Sequence, residues 1–361
     1  MKTSSPAFVI VIAGLLLGVA RLHAGSPLRW DSDRPDHTPE PESLIPEMGG
    51  KEAYSERYEF EAALEGGGRI MMAWTISNLG WGDGRGAAQV ELHLPRREPY
   101  DFGKKVGRGK WSFEKNPFQL TIAGTRLRAA GGDTFKLTHD GKIRIEATFR
   151  SRLPTWSPGR LVHKKGYRHV TLICPRADVE GRVRLDGTWK KIRSDGAGYA
   201  DHTATTLAPH KMAVRFSRFH AFQGDTTIVW KGIDPTEKFG GGRIAWILVG
   251  KRNRIVFHDL NADLKFADDK KDPATGYSIP RTIETTGRSG QDRVSVVQRA
   301  GDYRRTDLLA KYGTFAQLIA GAVATPYRFE QEARFTCEMI VDGTSSTTEG
   351  SGDLVMDFLH K

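Results

Sequence analysis

The sequence predicts an all-β protein built from two related antiparallel halves. Three observations carry that expectation. Short segments alternate apolar and polar residues with a period of two. Glycine-rich turns separate them, 40 of the 361 residues being glycine. A pattern in the first half returns in the second: Gly66-Gly67-Gly68-Arg69-Ile70 leading to Trp74, against Gly240-Gly241-Gly242-Arg243-Ile244 leading to Trp246. Short strands at near-regular spacing, with turn residues between them, point to a barrel or a sandwich. Two halves of similar length and an internal echo favour two related barrels.

The first 24 residues read as a signal peptide. Lys2 gives a positive start, residues 7–19 form an apolar run short of a full membrane span, and small residues offer cleavage after Ala20 or Ala24. A secreted or periplasmic protein is expected. Residues 25–51, rich in Pro, Asp and Glu, read as an irregular lead-in. Residues 52–193 are assigned to the first barrel and 194–361 to the second. In the first, Tyr58, Phe60, Ala62 and Leu64 alternate with Arg57, Glu59, Glu61 and Glu65, one face apolar and one wet. Gly66-Gly67-Gly68 turns the chain and residues 69–78 return it. Further strands are expected at 87–94, 118–127 and 142–149, the last after the Asp140-Gly141 turn. The stretch 153–159, with two prolines and a glycine, interrupts the pattern, and strands resume at 169–174 and 179–185. In the second half one amphipathic helix stands out, with Leu308, Leu309, Tyr312, Phe315, Leu318 and Ile319 on one face.

The formal net charge is +11. Acids and bases are interspersed, as in residues 265–272, the pattern of a solvated loop. There is no zinc-finger, RNA-binding or helix-turn-helix signature, so nucleic acid is not an expected partner. The positive excess suits solubility and also contact with an anionic membrane surface. Cys174 and Cys337 both fall in strand-like runs. An oxidising compartment permits one bridge between them, and two buried free thiols are the alternative. Two cysteines, and eleven histidines without HExxH-type spacing, define no metal site. The glycine-rich turns do not sit in a strand–Gly-x-Gly-x-x-Gly–helix unit, so an oxidoreductase is disfavoured and no cofactor is expected.

The stretch 175–222 concentrates distinctive residues. Asp201 beside His202 has the makings of an acid–base pair, since a buried Asp next to an apolar ligand holds its proton toward neutral pH. Neighbours on a strand point to opposite faces, so the two share a cavity only if the backbone bends, which Gly196 and Gly198 allow. Otherwise Asp201 caps a turn and His202 bonds backbone. Trp74, Trp230 and Trp246 belong to the core or line a pocket. His210 contacts ligand or bonds backbone in a loop, and Asn78 bridges to the second half or caps a turn. Arg215 and Arg218 have the chemistry to grip an anionic headgroup, but their spacing puts them on opposite faces and is expected to leave one in water.

Several short motifs occur in a fixed order: Ser77-Asn78, Pro175-Arg176-x-x-Val179-x-Gly181, Gly196-x-Gly198, Pro209-His210-x-x-Ala213-x-Arg215, and Thr325-Pro326-Tyr327 followed by Gly350-x-Gly352. In these the chain resembles the double-lipocalin group of fungal oxidative-stress survival factors, AttH-like bacterial proteins and CrtC-type carotenoid 1,2-hydratases. The resemblance runs from Tyr58 to Leu359, with the survival-factor branch nearest. It implies two tandem lipocalin-like (calycin-type) antiparallel β-barrels with a few short helices and an apolar cavity in or between them. It also implies lipid handling. Trp74, Asn78, His210, Arg215 and Tyr327 are the candidate ligand-binding residues. Hydratase members carry Gly-x-Gly-Tyr-x-Asp-His, matched by Gly196, Gly198, Tyr199, Asp201 and His202. Thr203-Ala204-Thr205 departs from the Asn-x-Gly that follows in them.

Two functions are therefore expected. The first is an exported carrier of a lipid or isoprenoid. The second is a cofactor-free hydratase, cyclase or isomerase acting on a polyene or terpenoid. There Asp201 would protonate the alkene, His202 would set its protonation state, and Tyr199 would orient it or the water.

Overall fold

The computed structural model describes residues 27–32, 34–36, 44–47, 53–78, 84–308 and 326–360. The expected signal peptide, and the expected helix beyond Leu308, lie outside these residues.

The first sheet takes thirteen strands. They are β1 (Arg29–Trp30), β2 (Ser55–Leu64), β3 (Gly68–Ser77), β4 (Arg85–His93), β5 (Tyr100–Val106), β6 (Trp111–Lys115), β7 (Phe118–Ile122), β8 (Thr125–Ala129), β9 (Thr134–Asp140), β10 (Arg144–Ser151), β11 (Arg160–His163), β12 (Gly166–Leu185) and β13 (Thr188–Thr205). A short helical turn, α1 (Pro209–Met212), leads into the second sheet. That sheet holds β14 (Ala213–Gln223), β15 (Thr226–Pro235), β16 (Ile244–Lys251), β17 (Arg254–Asp259), β18 (Asp263–Ala267), β21 (Thr282–Ser289), β22 (Asp292–Asp307), β23 (Tyr327–Val341) and β24 (Thr344–Phe358). A small ribbon, β19 (Lys270–Lys271) with β20 (Ser278–Ile279), stands apart from it.

The two ladders repeat one plan. The first runs β5-β4-β3-β2-β13-β12-β10-β9-β8 and continues to β7-β6; the second runs β17-β16-β15-β14-β24-β23-β22-β21-β18. All pairings are antiparallel. Each sheet curls into a barrel around its own core. In the first, Val90 and Leu92 of β4 share one buried cluster with Phe118 and Leu120 of β7, near the opposite end of the ladder. The second core gathers Phe219, Trp230, Phe329, Phe335 and Phe358. Residues from strands far apart in a ladder can meet on one face only if the sheet is strongly coiled.

Matching the ladders strand for strand sets β15 against β3, which makes Trp230 the counterpart of Trp74. Both are wholly buried. Trp74 Nε1 donates to Thr125 O at 3.0 Å. Trp230 Nε1 donates to Gln298 at 2.7 Å once that amide is turned. The Gly-Gly-Gly-Arg-Ile echo therefore falls on non-equivalent strands, β3 and β16. The repeat is real, but the motif that suggested it is not its trace.

Several local expectations shift. The strand foreseen at 118–127 is two strands, because Ala123 and Gly124 both take positive φ, 50° and 79°, and turn the chain. The Gly196–Gly198 stretch is not a boundary. It lies inside β13, where register slips opposite Cys174 and Ala177 mark bulges. The sheets change over at residues 206–212, not at 193–194. Cys174 and Cys337 are free and buried in separate cores, so the unbridged alternative holds.

The face of β2 expected to be wet is dry at its centre, while Glu65 at its end is exposed. Glu59 and Glu61 are 4% and 3% exposed, because the second barrel packs on them. The barrels dock wall to wall. Beside the charged contact, Trp156, Val170, Leu172 and Tyr199 of the first half pack with Val229, Trp246 and Leu248 of the second.

Candidate functional site

β13 holds the sequence-predicted acid–base residues, and its alternation separates them. The strand stays regular at Asp201 and His202, pairing them with Glu59 and Tyr58 of β2. Tyr199 and Asp201 face the second barrel, and His202 faces the first barrel's interior.

At the barrel interface, Asp201 Oδ2 accepts from Tyr199 Oη and from Lys231 Nζ, both at 2.8 Å, and lies 3.8 Å from Arg218. Arg218 also holds Glu59 at 2.7 Å and Glu61 at 3.2 Å. Tyr199 stacks on His220 with centroids 4.7 Å apart. Burial alone would raise the Asp201 carboxyl, but the Lys231 ammonium and Arg218 guanidinium outweigh it and hold it below its ordinary range. Asp201 is thus an anion near neutral pH and has no proton to give an alkene.

Inside the mouth of the first barrel a second polar group forms around His202. Its ring stacks on Tyr58, centroids 4.3 Å apart, and its Nε2 sits 3.2 Å from Glu56 Oε2. Tyr58 Oη sits 2.9 Å from that same Oε2 and donates to Leu44 O at 2.5 Å. Tyr54 Oη and the Glu47 backbone N–H donate to Oε1 at 2.6 and 3.0 Å. Burial raises the Glu56 carboxyl, but the bond and charge of His202, with the bonds from Tyr54 and Glu47, carry it below its ordinary value. Burial, then the Glu56 charge, pushes the Tyr58 phenol well above its own.

Thr171 of β12 stands directly across from His202 in the ladder. Both are almost fully buried, and Thr171 Oγ1 and His202 Nδ1 have no hydrogen-bond partner among the described residues. Buried polar atoms without partners are costly unless something bonds them.

The other expected ligand residues fall into two places. Trp74 is core of the first barrel, edge-on to Phe60. Asn78 Oδ1 accepts from the Gly84 N–H at 2.7 Å. His210, Arg215 and Tyr327 collect near one end of the second barrel. Arg215 and Tyr327 both pair in register with Phe358, and His360 reaches His210 O. Arg215 is locked to Asp234 at 2.5 Å and lies over the Phe266 ring. Arg215 and Arg218 do point to opposite faces, but neither is in water: each side chain is 14% exposed.

The sequence reading passed over Glu56, Thr171 and Lys231. Glu56 was findable, as an acid in the inward register of Tyr58 and Phe60. Thr171 and Lys231 carry no such signal. A cavity of ≈ 190 Å³ between the barrels is lined by Arg152, Arg176, Asp225 and Arg252, and another of ≈ 330 Å³ by Lys142, Arg144, Arg184 and Asp186. Neither has the apolar lining a lipid tail needs. Glu91, His93 and Asp101 bring ligand-type atoms within 4.8 Å of one another, but Glu91 is drawn to Arg304 at 3.6 Å, which competes with a cation.

Acid should act through the carboxylates. Glu56, Glu59 and Asp201 all titrate below their ordinary values. Their stabilisation is complete above the unfolded carboxyl range near pH 4 and is lost as pH falls through the lowered values. The urea midpoint is expected to drop steeply only below about pH 4. A drop beginning above pH 5 would assign the effect to histidines.

Fold and site together define a tandem-barrel protein with a polar group set in one apolar barrel mouth. The chain belongs to the Svf1 family, which matches residues 131–355. A relative from Yarrowia lipolytica, the ceramide-binding protein SVF1, is 21% identical over 194 residues, covering 49% of this chain and 48% of the relative. The chain thus spans about half the length of the curated relative it matches.

Among solved structures, CghA with Sch210972 aligns at TM-score 0.58 and 12% identity, over 94% of this chain and 98% of that one. An AttH protein of Nitrosomonas europaea aligns at 0.55 and 11%, over 84% and 92%. Kievitone hydratase from Nectria haematococca aligns at 0.51 and 12%, over 85% and 89%. At these identities the likeness is one of fold.

Proposed function

We propose that this chain is a lipid carrier that seats a long-chain lipid with an amide or hydroxyl headgroup, of the ceramide type, in the mouth of the first barrel. The observation that carries it is that His202 and Thr171, paired across the ladder, each bury a polar atom, Nδ1 and Oγ1, with no partner among the described residues. A headgroup hydroxyl or amide supplies a partner for both. The chains enter the apolar interior, each buried CH₂ contributing about 0.8 kcal/mol. Leu44, now packed in that interior, is the side chain they displace. The name of the Yarrowia relative supports the same ligand class.

Thr171→Val separates binding from folding. It removes a hydroxyl that bonds nothing among the described residues, so stability is expected to hold or rise. Ceramide affinity is expected to fall about five- to ten-fold, the worth of one hydrogen bond. The measurement is titration with fluorescent ceramide, with a long-chain hydrocarbon as control. Equal ceramide affinity in Thr171→Val and wild type would sink the assignment. Export belongs to the proposal as well. Native mass spectrometry of the expressed full chain reads both parts at once, as a bound lipid mass and as the loss of residues 1–24, and a mass that retains them rejects export.

A further inference from the structure

The strands at the two ends of the first sheet are neighbours in sequence. β5 ends at Val106, a turn follows in which the Lys110 N–H donates to Gly107 O at 3.1 Å, and β6 starts at Trp111. So short a turn ordinarily makes a hairpin. Yet among the described residues β5 pairs with β4 alone and β6 with β7 alone. The barrel wall has no ladder here. Two side chains span the edge instead: Trp111 Nε1 donates to Gly84 O at 2.7 Å, and Tyr100 Oη lies 2.9 Å from His139 Nε2.

Register shows that the inner face opens to water at this edge. Phe102 and Lys104 oppose Val90 and Ala88, and Phe113 and Lys115 oppose Leu120 and Phe118. Those four opposing residues are buried core. Phe102 and Phe113 pack half-buried against that core, and Lys104 and Lys115 are exposed although they share the inward register. An exposed lysine on the concave face of a barrel marks an opening. Residues 104–115 carry five basic residues and one acidic.

We propose that this β5–β6 edge is where the first barrel docks on an anionic membrane and through which lipid passes between bilayer and barrel. Half-buried aromatics beside exposed cations suit the headgroup layer, where rings rest at the interface and Lys and Arg meet anionic lipid. The lipid passage rests on the carrier reading above; the docking does not. Lysines on an edge strand also discourage strand-to-strand aggregation, and the test must tell the two apart.

The experiment is flotation of the full chain with vesicles of phosphatidylcholine alone or mixed with phosphatidylserine. Wild type is expected to bind only the mixed vesicles. A basic residue near an anionic leaflet is worth roughly five-fold in binding, so Lys104→Glu/Arg108→Glu/Lys110→Glu should lose on the order of a hundred-fold. A control with the same net charge, Arg288→Glu/Arg293→Glu/Arg334→Glu on exposed second-barrel strands, should bind within a few-fold of wild type. Equal losses in both variants, no preference for phosphatidylserine, or a first variant that aggregates but docks normally would each overturn the proposal. Ceramide titration in detergent is run on the same samples. Docking retained without ceramide binding sinks the carrier reading alone.

Discussion

Arg218→Leu is expected to cost about 3–5 kcal/mol of stability, read as a lowered urea midpoint. Arg218 is the cation between Glu59, Glu61 and Asp201 in the dry contact of the two barrels. Its guanidinium is held well above its ordinary range, burial opposing and the Glu59, Glu61 and Asp201 charges prevailing. Removing it leaves three acids short of a cation, although Arg57 stays near Glu59, Arg69 near Glu61 and Lys231 near Asp201. The loss should come from the stranded charges and not from missing contact area. Adding Glu59→Gln and Glu61→Gln to Arg218→Leu should therefore recover a good part of it. A single variant within about 1 kcal/mol of wild type would mean that water screens this interface.

Trp156→Ala is expected to cost a similar amount, about 3–5 kcal/mol. Trp156 lies in the stretch that interrupts the strand pattern. Its backbone bridges Leu172, and its ring meets Trp246 of the second barrel with centroids 5.0 Å apart. It is wholly buried and shares its cluster with residues of both halves. Emptying that site leaves a cavity where the barrels adhere, so the loss should appear in the unfolding of both. Trp156→Phe should recover most of the packing, because Trp156 Nε1 has no partner among the described residues to lose. A loss under about 1 kcal/mol for the alanine variant would show that the barrels hold together without this contact.

These two residues show how far the sequence reaches. From the sequence, Arg218 has the chemistry of a headgroup grip or a solvent-facing cation, and Trp156 lies in an interruption of the strand pattern. Both are interface residues. A one-dimensional pattern records whether a side chain is polar, not what stands opposite it. The acids of β2 read as a solvent face because alternation cannot distinguish water from a matching set of arginines. The His202 site divides in the same way. His202 and Tyr199 were visible as residue types, while their separation onto two faces of β13 followed from a strand that stays regular where a bend was entertained.

By itself the sequence determined the all-β class, the two-barrel plan, the inward register of Tyr58, Phe60, Ala62 and Leu64, and the resemblance that family membership upholds. These rest on alternation, turn chemistry and short motifs, all of which are local. Only the tertiary structure decided which barrel wall is dry, that Cys174 and Cys337 lie in different cores, that Asp201 is a paired anion, and that Thr171 comes to stand beside His202. Each of these depends on contacts between residues far apart in the chain, whose partners are chosen by ladder register and barrel docking.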